Sequence, residues 1–591
     1  MKKSWKKGIA AAMRVLLAAG MAGCGQTNTA NSTATSGDAA TTAQTEVAQS
    51  NTDNGDLTVV KILGRNYTYT GANGKTVTLK DWSTEGKSKR WDKLSENLAA
   101  KGVKLELDLI QFDTTIQTMA ASGELFNYDM INITPLDDKT KLNLVKQGQL
   151  QSISDIWETY SDGTYTDFIN SDAGQFYFKH VALEDGKCYW LTDYETGSYE
   201  GNPTNFILAF QIRQDWLDAL GLDVPRTWDE LAEVAKAFVT RDPDGNGEND
   251  TIGILGPGNS DHMNAVGGNQ FGLDPLFSCF QSYPQYWLKS EDGSVEYGSI
   301  QPETKTALEN ISKLYADGVI DPETLVRSDS KEPLLAGKVG IFFGPWWCAY
   351  TFADTTLSGS ADWRAYFTPL SEDGKYYTHM AEPTTQYVVA SKDCKNPEAA
   401  FKIINYLVAN EQKWVEEGVT STEMGTGDFY PLYNTYDNAD EIETSTEALT
   451  KYLAGDISMD DVDFSTHKLL KNDMEAVTKL KKKPYDDFSL KYWNLDSDLA
   501  KTNLPRLVAI MVGDAPLVNE EYVPIYNSYD GRTKTMDSKW ANLKKLEEET
   551  FAKIITGKVG IDAFDSFVEE WKASGGDEIT KEVQEELDAQ Q

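Results

Sequence analysis

Three short apolar runs open the part of the chain that can build a core. They are LTVVKILGRNYTY (57–69), VKLELDLIQFD (103–113) and FNYDMINIT (126–134). The first two are separated by an amphipathic stretch, KRWDKLSENLAAKG, and the third follows a Gly-containing turn. Strand, helix, strand at this spacing predicts parallel strands joined by crossovers, an α/β layer with helices against a sheet. A chain of 591 residues is too long for one such layer, and its length predicts two to four lobes.

Further helices announce themselves by their ends. In RTWDELAEVAKAFVT, Thr227 and Glu230 have the spacing of a capping box, and Leu231, Val234 and Phe238 form an apolar stripe. PETKTALENISKLYADGVI places Leu308, Ile311 and Leu314 on one face, with Gly318 as a stop. NPEAAFKIINYLVAN has Asn396 as cap and Pro397 at the first helical position. GIDAFDSFVEEWKASGG repeats the pattern through Ile561, Phe564, Val568 and Trp571. The run 141–154 predicts a helix ending near Gly148. No internal repeat is evident.

The first 26 residues, MKKSWKKGIAAAMRVLLAAGMAGCGQ, combine a lysine-rich start, a short apolar run and small residues before Cys24. That is the pattern of a secretory signal, too short to span a bilayer stably. Met21-Ala22-Gly23-Cys24 is similar to a bacterial lipobox, with Met21 in place of the usual Leu and Arg14 interrupting the apolar run. It predicts cleavage after residue 23 and lipidation of Cys24, whose two acyl chains would anchor the protein durably to a membrane. The alternative is an ordinary signal with an incidental Cys. Residues 24–55 are Thr, Ala, Ser, Asn and Gln with almost no apolar bulk, which predicts a flexible tether. The folded body then starts at residue 56.

The formal net charge of -37 repels phosphate backbones and anionic lipid heads, which argues against nucleic-acid and membrane-surface partners. The four His are scattered and the five Cys form no CxxC, so neither a zinc nor a redox motif is present. There is no GxSxG and no P-loop, and no carboxylate pair stands out among 92 acidic residues.

One loop has metal-binding spacing. In RDPDGNGENDTIGI, Asp242, Asp244, Asn246, Glu248 and Asp250 occupy alternate positions, with Gly247 at the sharp turn. These are positions 1, 3, 5, 7, 9 and 6 of an EF-hand calcium loop, and hard oxygen donors suit Ca²⁺. Position 12 is Gly253 instead of the bidentate Glu, and no second EF helix follows. The alternative is an acidic turn without metal.

The ordered set IRQDWLDALGLDVPRTWDE, LLAGKVGIFFGPWW, YVVASKDCKNPEAAFKIINYL and ITGKVGIDAFDSFVEEWKASGGDEITKEV resembles the extracellular solute-binding proteins of bacterial ABC importers, in particular the lipoprotein branch that handles oligosaccharides. The resemblance implies a two-lobed α/β fold of the periplasmic-binding-protein type (class II), with ligand in the cleft between lobes. It implies crossings near 205–212 and 366–386. The lobes are then 56–205 with 383–450, and 206–382 with 451–591. It implies capture of an oligosaccharide by lobe closure, delivery to permease subunits, and no chemistry. The rivals are the same fold holding a peptide or other small solute, and a secreted glycan-active enzyme.

By the same resemblance GPWWCAY places Trp346 against a sugar, with Trp347 as its neighbour. An indole face can cover a pyranose. On an extended segment two adjacent Trp point opposite ways, one to ligand and one to the core. The carboxylate pair Asp137 and Asp138 follows a strand end, where the family often binds sugar hydroxyls; a solvated loop pair is the other reading. Tyr283, Tyr286 and Trp287 read as core, and Tyr492 with Trp493 as a reserve for an extended cleft. Some family members use such a loop for calcium, and in this chain the ion would clip a helix end to the next strand.

Overall fold

The computed structural model describes residues 57–589 except 67, 71–75, 85–88, 101, 111–113, 135, 137, 161–182, 184–185, 191–206, 259–269, 291, 328–329, 360, 381–386, 399–440, 465–467, 486–487, 530 and 532. The signal, the tether with Cys24, the predicted helix from residue 399 onward and Asp137 therefore lie outside the described residues.

The first expected layer is present. Thr58–Arg65 is a central strand whose Val60, Ile62 and Leu63 are fully buried. It pairs in parallel with Val103–Ile110 along its whole length, from Thr58↔Val103 to Arg65↔Ile110, and on its other edge with Met130–Asn132. The helix Lys89–Ala100 makes the first crossover. A fourth strand, Val388–Ala390, comes from far along the chain and pairs antiparallel to Met130–Asn132, so the sheet is mixed at that edge. The helix expected at 141–154 starts earlier, as Asp138–Lys146, and Gly148 turns the chain at φ 63° into a second helix, Ile153–Tyr160.

A second sheet has the order Trp363–Tyr366, Ala209–Arg213, Val339–Gly344, Ile252–Ile254. Every residue of VGIFFG is buried, as a strand covered on both faces requires. Its pairing is parallel to Ile252–Ile254 and antiparallel to Ala209–Arg213. The helix Trp228–Thr240 covers it, opened by the expected capping box: Thr227 Oγ1 accepts from the Glu230 amide and Glu230 Oε2 accepts from the Thr227 amide at 3.0 Å. Leu231, Val234 and Phe238 are buried in the core beneath it. Pro302–Ala316 and the C-terminal helices Met536–Ile555, Ala563–Trp571 and Asp577–Ala589 complete that core, where Trp571 stacks on Tyr297 at 5.0 Å. In Ala563–Trp571 the buried face is Phe564, Phe567 and Trp571, with Val568 half-buried beside it.

A second core builds outward from the other face of VGIFFG. Phe342, Phe352 and Trp363 pack there with Leu449, Met474, Leu504 and Leu507, contributed by Glu441–Ala454, Lys468–Leu480 and Asp498–Val508. Residues 441–450, expected in the first lobe, thus belong with the second sheet, because Ile442 and Leu449 bury against its core.

The chain therefore moves between bodies. It leaves the first sheet after Asn132, enters the second at Ala209, leaves at Tyr366, re-enters the first at Val388, and packs with the second again from residue 441. Near these passages a small cluster gathers Ile207, Ala209, Ala365, Phe367, Tyr376 and Met380 with the half-buried Leu517, Tyr522 and Tyr526. Phe367 stacks on Tyr376 at 4.8 Å, and Tyr377–His379 runs parallel to Val523–Ile525.

Candidate ligand-binding site

Strand register says which ends of the two sheets face the connecting segments. In the second sheet Gly344 pairs with Ala209 and Tyr366 with Phe210, so the carboxyl end of Val339–Gly344 lies where the chain enters at 209 and leaves at 366. In the first sheet Val388 pairs with Asn132, so the chain returns at the carboxyl end of Met130–Asn132. The segment 367–387 thus joins carboxyl end to carboxyl end. In open α/β sheets these are the ends that line a ligand crevice.

Immediately beyond Gly344 comes the Trp pair. The chain here is a tight 3-10 turn, Trp346–Cys348, instead of the extended segment expected, so the two indoles do not point opposite ways by strand alternation. Two close backbone approaches fix the turn. A side chain at Gly344 would collide with Cys348 Sγ, and one at Gly513 would collide with the Trp346 carbonyl. Gly513 closes a π-helical turn, Ala509–Gly513, the kind of helix irregularity that recurs at functional sites. Trp346 is 6% exposed, and Trp347 is half-buried against the same core.

Around this turn lie buried polar atoms that no described oxygen or nitrogen satisfies: Nε1 of Trp346 and of Trp347, Nε2 of Gln270, which meets the weak acceptor Cys348 Sγ, and Oε1 of Gln211. Gln211 is wholly buried in the middle of the sheet, and its Nε2 reaches the Gly344 carbonyl at 3.4 Å. Gln270 is held next to Gly344 by the Phe271 amide on the Phe343 carbonyl, and its Oε1 accepts from Thr351 at 3.3 Å. Buried donors and acceptors without partners are rare, and a group of four at one sheet end is what a polar ligand would complete. Behind the turn, Asp514 is fully buried, with Oδ2 accepting from Thr446 at 3.0 Å. Burial first, and then Glu443, push its pKa well above the carboxylate range.

The first sheet presents a matching feature. Trp190 meets Tyr387 edge-on at 5.6 Å, Lys141 lies over the Tyr387 ring at 3.9 Å, and Thr134 Oγ1 accepts from the Tyr387 amide. Trp190 Nε1 is buried without a partner among the described residues. Of the expected carboxylates, Asp137 is not described and Asp138 opens the helix Asp138–Lys146. Trp190, Gln211 and Gln270 were missed in the sequence. Gln211 had a legible signal: a polar residue at the centre of the apolar run ILAFQI.

Other aromatic candidates are core. Trp287 stacks near Trp540, Tyr283 and Tyr286 pack on His379, and Tyr492 and Trp493 are buried, with Lys481 5.0 Å from the Trp493 ring. Cys188, Cys279, Cys348 and Cys394 are buried free thiols. Burial raises the pKa of each, to about 12 for Cys188, Cys279 and Cys394.

The acidic loop follows Trp228–Thr240 directly. Asp242 adopts φ 47°, and its carboxylate accepts from the amides of Asn246 at 3.1 Å and Gly247 at 3.0 Å. Asn246 Nδ2 stands between Asp244 at 2.9 Å and Asp250 at 3.2 Å, where positive charge is favoured. Burial and the neighbouring Asp242 raise the pKa of Asp244, the mark of crowded carboxylates. The donor chemistry fits a hard cation, but Lys338 already holds Asp250 at 2.9 Å. Among the described residues no three acidic, His or Cys side chains converge on one point. Position 12 is closed to any side chain, since a Cβ on Gly253 would sit 2.6 Å from the Val319 carbonyl and 2.8 Å from that of Ala235.

Two α/β bodies, with polar groups unspent at the sheet ends that the connections join, define a protein that binds a ligand between lobes. Comparison with known proteins agrees. The profile of the bacterial extracellular solute-binding protein family matches residues 82–414, and the chain belongs to that family. The polygalacturonan/rhamnogalacturonan-binding protein YtcQ of Bacillus subtilis is 24% identical over 460 residues, 77% of this chain and 80% of its own. The fructooligosaccharide ABC transporter substrate-binding protein FusA of Streptococcus pneumoniae is 27% identical over 38% of this chain and 40% of its own. Among solved structures, FusA with kestose superposes with a TM-score of 0.57 at 17% identity, covering 90% of this chain and 99% of that one. The alginate-binding protein AlgQ2 without calcium ion gives 0.57 at 15% identity, covering 90% and 98%. The fold is the two-lobed periplasmic-binding-protein type, and these relatives are binding proteins.

Proposed function

We propose that the chain is the lipid-anchored substrate-binding protein of an ABC importer. It captures an oligosaccharide between its lobes and delivers it to membrane permease subunits without chemical change. The carrying observation is the set of unspent buried hydrogen-bonding atoms on Trp346, Trp347, Gln211 and Gln270 at the carboxyl end of one sheet, with Trp190 beside Tyr387 at the carboxyl end of the other. Indole faces cover the apolar faces of sugar rings, while amides and indole N–H groups meet hydroxyls. Closure about the segments through 207–209, 365–380 and 517–526 would exclude water from those contacts. The names of YtcQ and FusA, both carbohydrate binders, support the substrate class. In this reading Cys24 carries the lipid, residues 24–55 are the tether, and Asp137 reaches ligand from the first lobe.

A structural Ca²⁺ at Asp242, Asp244, Asn246, Glu248 and Asp250 belongs to the same proposal. It would draw the crowded carboxylates together and tie the end of Trp228–Thr240 to the strand Ile252–Ile254.

A thermal-shift screen of glycans and peptides tests the main reading. The expected result is a raised melting temperature with some oligosaccharide and with no peptide. A response to peptides alone, or turnover of a glycan, overturns it. For the metal, removing calcium with EDTA should lower the melting temperature and adding it back should restore it. An unchanged transition excludes a structural calcium.

A further inference from the structure

We infer that the site takes an electrically neutral oligosaccharide and discriminates against chains of uronic acids. This rests on the oligosaccharide reading above and narrows it. The unspent atoms at the second sheet end are the indole N–H groups of Trp346 and Trp347 and the side-chain amides of Gln211 and Gln270, with Oδ1 of the acid Asp514 behind them. They suit hydroxyl groups, which both donate and accept. A carboxylate brought into such a site would be stripped of water and would need a cation to face it.

Among the described residues the cations are elsewhere or already used. Arg213, Arg364 and Lys338 lie toward the opposite end of the second sheet, and each is paired there, with Asp215, Asp362 and Asp250 respectively. On the crevice side, Arg226 pairs with Glu520 at 2.6 Å, and Arg327 is held by Asp321 at 2.9 Å and Glu323 at 3.0 Å. Lys331, whose charge reaches Cys348, has a partner of its own. In the first body Lys141 covers Tyr387, and Arg65 is also engaged.

The group next to the Trp turn offers an acidic ligand no counter-charge. Asp514 directly follows Gly513, on which the Trp346 carbonyl packs, and it is a buried acid, not a cation. The sequence repeats the point. The stretches 188–212, 242–288, 339–363 and 376–391, in which these crevice-end residues lie, contain no Lys or Arg, although the chain carries 55 of them in 591 residues.

Calorimetric titration of the intact protein tests this with matched probes. One arm uses neutral oligosaccharides: kestose, maltotriose, xylotriose, mannotriose and galactotriose. The other uses trigalacturonate and its fully methyl-esterified form, which share a backbone and differ in charge. Trigalacturonate belongs to the ligand class in the name of the Bacillus subtilis relative. The expected outcome is binding of at least one neutral sugar, about tenfold or more tighter than trigalacturonate. That affinity should hold between low and high salt, because no ion pair is there to screen. Trigalacturonate binding as tightly as the best neutral sugar, and more tightly than its ester, overturns the inference while leaving the oligosaccharide reading intact. Binding of no sugar from a broad glycan panel removes that reading, and this inference with it.

Discussion

At the scale of single residues, the Trp pair makes separable predictions. Replacing Trp347 by Phe keeps an aromatic face and deletes one N–H that has no partner among the described residues. Folding should be almost unaffected, while ligand affinity should fall by about 1 kcal/mol, the net worth of one hydrogen bond. Equal affinity in Trp347→Phe and the parent would remove Trp347 from the site. Gly253 makes the opposite kind of prediction. A methyl group there meets two carbonyls at 2.6 and 2.8 Å, so Gly253→Ala should cost about 1–3 kcal/mol in urea unfolding. The loss of the EF-hand glutamate is therefore a packing requirement of the strand Ile252–Ile254. Glu547 adds a pH dependence. It is buried between Tyr297 at 3.0 Å and Ser299 at 2.9 Å, and burial pushes its pKa from 4.5 up to about 7. The folded state thus prefers the neutral acid. Its contribution to stability is complete below about 4.5 and is lost as pH rises through about 7. Glu547→Gln should flatten stability against pH across that window, and an identical slope in both proteins refutes the assignment.

At the scale of elements, legibility followed the range of the determining contacts. The capping box at Thr227 and Glu230 was readable because all its partners lie within three residues. Thr227→Ala should cost about 1 kcal/mol, read as a shift in the urea midpoint without a change in slope. The parallel strands 58–65, 103–110 and 130–132 were readable from period and spacing. The fourth strand, Val388–Ala390, was not, because its pairing with Met130–Asn132 spans nearly half the folded chain and reverses the expected direction. The Trp turn failed for a similar reason. GPWW reads locally as extended, yet the turn is set by Gly513, far along the chain, whose missing side chain admits the Trp346 carbonyl. Gly513→Ala should displace the turn and weaken ligand binding. A variant that binds as the parent does, while its melting temperature falls, would reduce Gly513 to a packing role. Of the site itself, the sequence offered the Trp pair, whereas Trp190 and Gln270 became visible only when register brought the sheet ends into relation.

At the scale of the molecule, a small aromatic cluster gathers where the chain enters and leaves the second sheet. Phe367, Tyr376 and Tyr522 come from two passages of the chain, and the Tyr376 hydroxyl donates to the Leu208 carbonyl on another. Closure about these passages would repack few residues, which makes them the natural hinge for the proposed motion. His379 borders it, and burial lowers its pKa to about 3. In the proposed function, ligand supplies the bias by meeting the polar atoms of Trp190, Trp346, Trp347, Gln211 and Gln270 that no described oxygen or nitrogen satisfies. A saturating oligosaccharide should therefore act on shape and stability together. X-ray scattering should record a smaller radius of gyration, and unfolding should be opposed by about 2.7 kcal/mol at a hundred times Kd. Stabilisation without compaction would mean that the sugar binds one lobe alone, and the facing sheet ends would then have no joint role.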